Sequence, residues 1–155
     1  MLPALTAEQG ALAYAQAERL EAEGCIRING VLSKEMAAKV REAVLRERQM
    51  STEKVVHFGA NRNDLFGDLL LAPNRDDILL PLSGGGENAP IFAEALQQMF
   101  GPQSNATLRG LYEIIVGREA TLYEFASLAS DPGAAQQTIH SDMPWEEQCV
   151  LYTAF

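Results

Sequence analysis

Apolar positions fall into helical rows over the front of the chain and into short extended runs toward its end. Thr6 followed by Gln9 fits a capping box, so a helix is expected to start at Thr6 and to run through an Ala-rich stretch to Gly24, a suitable C-terminal stop. Cys25–Asn29 (CIRIN) reads as a short strand closed by Asn29-Gly30. Ser33 then caps a second helix, with Met36, Val40, Ala43 and Val44 at helical spacing on one face and charges on the other. Residues 51–75 hold several Asn, Asp and Gly and few clear periods. Within them Leu65 to Leu71 is apolar and fits either a short helix or a buried strand. Asp77–Leu82 (DILLPL) reads as extended, because the residue before a proline avoids the helical region.

Ser83–Asn88 is a Gly-rich connection without the GK[ST] ending of a phosphate-binding loop. Pro90 suits the first turn of a helix that reaches Phe100 and stops at Gly101-Pro102. A further helix is expected over Ser104–Val116, with Leu108, Leu111, Tyr112 and Ile115 on its apolar side. After Gly117 the character changes. Ala120–Leu128 is rich in aromatic and β-favouring types, Asp131-Pro132-Gly133 signals a turn, Gln136–Asp142 resumes an extended pattern, and Gln148–Phe155 is another strand candidate after Pro144-Trp145. The pattern predicts one α+β domain over residues 1–155, mainly helical over 1–117 and strand-rich over 118–155. No internal repeat is visible.

Composition adds exclusions. A chain of 155 residues, 47% hydrophobic and 21% charged, is long enough for one domain with a sizeable core. The formal charge is −9, and Arg41, Arg46 and Arg48 alternate with Glu42 and Glu47 instead of forming a basic stripe, which argues against a nucleic-acid or anionic-membrane surface. The two cysteines, Cys25 and Cys149, form no CxxC pair and read as small buried residues. The Asn105–Thr107 sequon has no secretion signal upstream, and no window approaches the ~20 apolar residues of a membrane span. A cytoplasmic protein with a small-molecule substrate is the expectation.

The chemistry concentrates in Gln136–Trp145 (QQTIHSDMPW). On a strand alternate residues share a face, so His140 and Asp142 would project to one side. An imidazole and a carboxylate so placed can supply two ligands of a 2-His-1-carboxylate triad, which leaves positions open on iron(II). A lone H-x-D is a weak motif. Its setting after a turn, before Pro-Trp and a further apolar run, strengthens it.

Here the chain resembles the phytanoyl-CoA dioxygenase-like branch of the iron(II)/2-oxoglutarate oxygenases. The stretches that carry the resemblance are, in order, GCIRINGVLSKEMAAKVREAV, DDILLPL, GLYEIIVG, ATLYEFASLASDPGAAQQTIHSDMPW and CVLYTAF. The resemblance implies helices followed by the first strands of a double-stranded β-helix, or jelly-roll barrel. It implies iron(II), 2-oxoglutarate and O2, with hydroxylation of a small organic substrate coupled to decarboxylation of 2-oxoglutarate to succinate. Carried over, His140 and Asp142 would ligate the metal and Trp145 would wall the substrate or co-substrate pocket; Tyr123, Phe125 and Ser127 alternate on the preceding strand and could face the co-substrate, with ordinary barrel core the favoured role for all three.

The pattern also asks for a second histidine downstream and an arginine to pair with the distal carboxylate of 2-oxoglutarate. Neither residue type follows Asp142, and the only other histidine, His57, reads as a surface or loop residue. The chain is therefore expected to be the front part of such an enzyme, truncated before the barrel is complete and inactive alone. The alternatives are a non-catalytic binding or scaffold relative and another metal-dependent enzyme of cupin type.

Overall fold

Local signals at Thr6 and Ser33 set the first two helices. In a computed structural model that describes residues 4–69, 73–83, 86–101 and 106–140, helix α1 covers Ala7–Glu23. Gln9 N donates to Thr6 Oγ1 at 3.2 Å and Thr6 N donates to Gln9 Oε1 at 2.9 Å, the reciprocal pair of a capping box. Ser33 Oγ accepts from Met36 N at 3.0 Å and opens α2, Lys34–Phe58. Gly24 and Gly59 stop these helices in the left-handed region, at φ 76° and 67°.

Helix α2 runs through residues 51–58, which the sequence pattern left irregular. Its inward row is Met36, Ala43, Glu47 and Ser51, followed by half-buried Val55. Two polar residues thus interrupt the apolar stripe. Glu47 is tolerated inside because Asn88 Nδ2 donates to its Oε2 at 2.9 Å, while Arg46 Nε donates to Asn88 Oδ1 at 3.1 Å. Asn88 stands at the N-terminus of α3, Ala89–Phe100, and its side chain serves α2 instead of capping its own helix. Pro90 lies in the first turn of α3 and Gly101 ends it, as expected. Helix α4, Ala106–Ile115, buries Leu108 and Leu111. Tyr112 of α4 meets Phe100 edge to face at 5.5 Å.

Strand β1, Arg75–Leu79, pairs antiparallel with β2, Ala126–Ser130, in the register Arg75↔Ser130 and Leu79↔Ala126. Along the opposite edge of β1, Phe66 forms an isolated bridge with Ile78. There Gly67 N donates to Asp77 O at 2.9 Å, and Leu79 N donates to Leu65 O at 3.1 Å. Leu65 and Phe66 follow a 3-10 turn at Arg62–Asp64 and are neither helix nor regular strand. The core lies between this sheet and the helices: Ala43 of α2, Phe66, Ile78, Leu80 and Phe92 of α3. The described chain is thus helical with a small antiparallel sheet, an α+β arrangement.

Three local expectations are corrected. Cys25–Asn29 is not a strand and Cys25 is exposed, because neither strand found among the described residues pairs with it. The strand expected over Ala120–Leu128 begins only at Ala126, because the register of five-residue β1 selects 126–130 and Phe125 is drawn toward Phe92. Gln136–His140 carries no strand, since nothing in the sheet pairs with it; the rest of that expected run, Cys149 and Gln148–Phe155 lie outside the described residues. His57 is exposed, as expected, but sits in the last turn of α2. Among the described residues no helix is long and apolar enough to cross a membrane.

The outer sheet face bears one testable charge. Asp77, opposite Leu128, packs its carboxylate against Gly67, and burial holds its pKa above the ordinary range. Below the ordinary carboxylate pKa the group is protonated folded and unfolded, and costs nothing. Above the raised pKa the folded state must carry a desolvated charge. Asp77→Asn is therefore expected to raise the melting temperature at neutral pH and to leave it unchanged near pH 3. Thermal melts at the two pH values check this.

Candidate metal centre

The approach to His140 is built by the end of β2 and the turn after it. Asp131 N donates to Asn74 O at 2.8 Å, and Ala134 N donates to Asp131 O at 3.1 Å, closing the turn that Asp131-Pro132-Gly133 signals. Arg48 of α2 grips the turn: its Nη1 and Nη2 donate to Asp131 Oδ1 and Oδ2 at 3.1 and 2.5 Å, and its Nε donates to Asp76 Oδ2 at 2.9 Å. Arg62 Nη2 meets the other Asp76 oxygen at 3.4 Å. Arg75 Nε donates to Ser130 Oγ at 3.1 Å, and its Nη2 donates to Ala135 O at 2.9 Å.

Hydrogen bonding from Arg48 holds the Asp131 carboxyl below the usual range, and the same bonds keep Arg48 protonated. A depressed carboxylate stabilises the folded state above its ordinary pKa, near 4, and loses that contribution as pH falls through the lowered value. The protection of the Asp131 amide, its exchange rate taken relative to the intrinsic rate at each pH, is therefore expected to hold steady down to about pH 4 and to fall below it. In Arg48→Met the protection should be low throughout.

Beyond the turn, residues 136–140 are neither helix nor strand. His140 is exposed, and its Nδ1 lies 2.7 Å from Thr138 O. A carbonyl only accepts, so in this contact Nδ1 is the nitrogen that donates. A neutral histidine that donates from Nδ1 ligates a metal through Nε2.

The other expected site residues are dispersed. Tyr123 precedes β2 and is 84% exposed. Ser127 pairs with Ile78 and shares the sheet face that carries Phe125 and Ala129 into the core. Asp142 and Trp145 lie outside the described residues. Among the described residues no group of three His, Cys, Asp or Glu gathers as a metal cluster. Among the described residues one shallow groove runs along α2 past Arg48 and Asp76 and another lies at the start of α3; neither includes His140. No family model matches the chain, and no curated protein and no solved structure matches it.

The sequence pattern missed the Arg48–Asp76–Asp131 ion group. Arg48 alternates with glutamates and so looked like part of a solvated face, and Asp131 looked like a turn former alone. The partners are brought together by long-range pairing, with Arg48 and Asp131 separated by 83 positions. No local signal joins them.

Proposed function

We propose that this chain supplies His140 and Asp142 to the iron site of a non-haem iron(II), 2-oxoglutarate-dependent dioxygenase of the phytanoyl-CoA dioxygenase-like kind. The observation that supports it is the His140 imidazole. Its Nδ1 lies against a backbone carbonyl, the arrangement in which a histidine that ligates iron(II) would do so through Nε2. The segment leading to it, residues 136–140, is not helical, and the resemblance would place Asp142 beside His140 with Ser141 turned away. The ligands act as neutral imidazole and ionised carboxylate.

When bound, iron(II) supplies open positions for 2-oxoglutarate and O2, and so oxidation of a small organic substrate with succinate as co-product. The protein's part is to hold two ligands, with Trp145 walling the pocket. The antiparallel pair β1–β2 is proposed as the beginning of the jelly-roll barrel, in a cytoplasmic protein. Iron coordination of this kind needs a second histidine, and 2-oxoglutarate needs an arginine for its distal carboxylate; neither follows Asp142 in the sequence given. The direct check is the reading frame beyond Phe155 and the activity of its product. A His and an Arg some tens of residues downstream, with succinate formed from 2-oxoglutarate, is the expected result. A frame without them sinks the enzymatic assignment.

A further inference from the structure

The connection from α1 to α2 runs over residues 24–33 without helix or strand, and Arg27, Asn29 and Gly30 are exposed along it. Gly30 has φ 70°, in the left-handed region that favours glycine. Asn29 therefore precedes the one residue type whose backbone N–H has no Cβ beside it. A Cβ built at Gly30 would meet nothing within 4 Å, so neighbouring groups do not crowd that backbone either. Asn29 is the only asparagine of the chain followed by glycine. Asn61, Asn63 and Asn74, also exposed, stand before Arg62, Asp64 and Arg75. A second observation concerns the amide itself: Arg27 Nε donates to Asn29 Oδ1 at 2.9 Å. A guanidinium on that oxygen draws electrons from Cγ and stabilises the negative charge that the oxygen gains when a nucleophile attacks.

We propose that Asn29 is a self-modification site, converted to aspartyl and isoaspartyl forms by attack of the Gly30 nitrogen on the Asn29 side-chain amide, with Arg27 holding the oxygen that becomes the oxyanion. Water or hydroxide takes the Gly30 N–H proton, and the nitrogen bonds to Asn29 Cγ. The Cγ–Nδ2 bond breaks, Nδ2 takes up a proton, and ammonia leaves behind a cyclic imide. Water then opens the ring. Breaking the bond from the ring nitrogen to Cγ gives aspartate. Breaking the bond from the same nitrogen to the main-chain carbonyl carbon gives isoaspartate, whose main chain runs through the side-chain carbon. In sum one water enters and one ammonia leaves, with no oxidation or reduction. Gly30 keeps a polar contact in the folded chain. Brief opening of this exposed connection, which no helix or ladder holds, releases the nitrogen for attack. Either product adds one negative charge to the formal −9. The isoaspartyl form also lengthens the main chain between α1 and α2 by one carbon. The site does not depend on the iron assignment.

The test incubates the full 155-residue chain in warm, mildly alkaline buffer and maps it with trypsin and mass spectrometry against a sample taken at the start. The peptide that holds residue 29, Ile28–Lys34 in the wild-type chain, is expected to gain the mass difference between an amide and an acid and to split into two chromatographic peaks. The larger should be the isoaspartyl form, identified as a substrate of an isoaspartyl methyltransferase. Peptides with Asn61, Asn63 and Asn74 should stay unchanged over the same time. Mildly acidic buffer, with less hydroxide to take the amide proton, should slow the conversion.

Gly30→Ala should bring conversion at residue 29 down to the level of those three asparagines. Unfolding of that variant would expose the site and speed the reaction, so a fall in rate reports the chemistry. Arg27→Met should slow conversion about two- to tenfold, the worth of one hydrogen bond, and Arg27→Lys should recover part of the rate. Conversion at residue 29 no faster than at Asn61, or unaffected by Gly30→Ala, would overturn the site. A rate in Arg27→Met equal to or above that of wild type would overturn the part given to Arg27.

Discussion

Replacing Phe92 by alanine is expected to lower the free energy of unfolding by about 3–5 kcal/mol. Phe92 has a relative exposure of 0% and lies early in α3, where it joins the helical layer to the sheet. It packs in one cluster with Ala43 of α2 and with Phe66, Ile78 and Leu80 around β1. Its ring also meets Phe125 edge to face, with centroids 6.1 Å apart, an arrangement that adds about 0.5–1.5 kcal/mol beyond buried area. Truncation removes both and leaves a cavity in the cluster. Domains of this size have about 5–15 kcal/mol in total, so the variant should be partly unfolded at modest urea. Phe58 gives the contrast. It ends α2 at 82% exposure, and Phe58→Ala should stay within about 0.5 kcal/mol of wild type. Urea denaturation of the two variants side by side decides whether this cluster is the core.

Replacing Gly110 by leucine is expected to release α1 from the rest of the molecule. Glycine inside a helix costs about 1 kcal/mol relative to alanine, so its place in the middle of α4 calls for a packing reason. A Cβ at Gly110 would lie 2.9 Å from Ala13 Cβ and 3.3 Å from Leu5 Cδ1. The two helices thus meet backbone to backbone, through a glycine on α4 and a buried alanine on α1. A leucine cannot enter that contact without separating them. Overpacking of this kind costs about 1–3 kcal/mol, and α1 cannot hold itself: at 17 residues it is barely longer than the ~12–15 below which isolated helices are marginal in water. Hydrogen exchange should therefore quicken across Ala7–Glu23 and stay slow in β1 and α3. Ala13→Gly in the same chain should restore part of the protection.

Elements with punctuation of their own were legible in the sequence. Thr6 with Gln9, Ser33, Pro90 and Gly101 each act within a turn of where they stand, and each marks an observed boundary. What was hidden depends on partners far along the chain. The last two turns of α2 did not look helical because Glu47 and Ser51 occupy its inward row, and Glu47 is admitted there by Asn88, 41 positions away. The start of β2 is set by its register with β1, not by the aromatic run before it. At the candidate site, the H-x-D spacing could be seen at once, as could the turn before it. The clamp on that turn could not, since Arg48 and Arg75 carry no local mark of the residues they hold.

The central claim is that His140 and Asp142 form part of one metal site, and paramagnetic broadening tests it most directly. Co(II) added to the ¹⁵N-labelled chain should broaden the resonances of His140 and its neighbours before those of His57, the only other histidine. His140→Ala should abolish the effect, and Asp142→Asn, which removes a ligand charge, should weaken binding by more than the ~10–100-fold seen when a metal site's supporting groups are lost. Equal broadening at His57 and His140, or broadening near residue 140 that survives both substitutions, would contradict it.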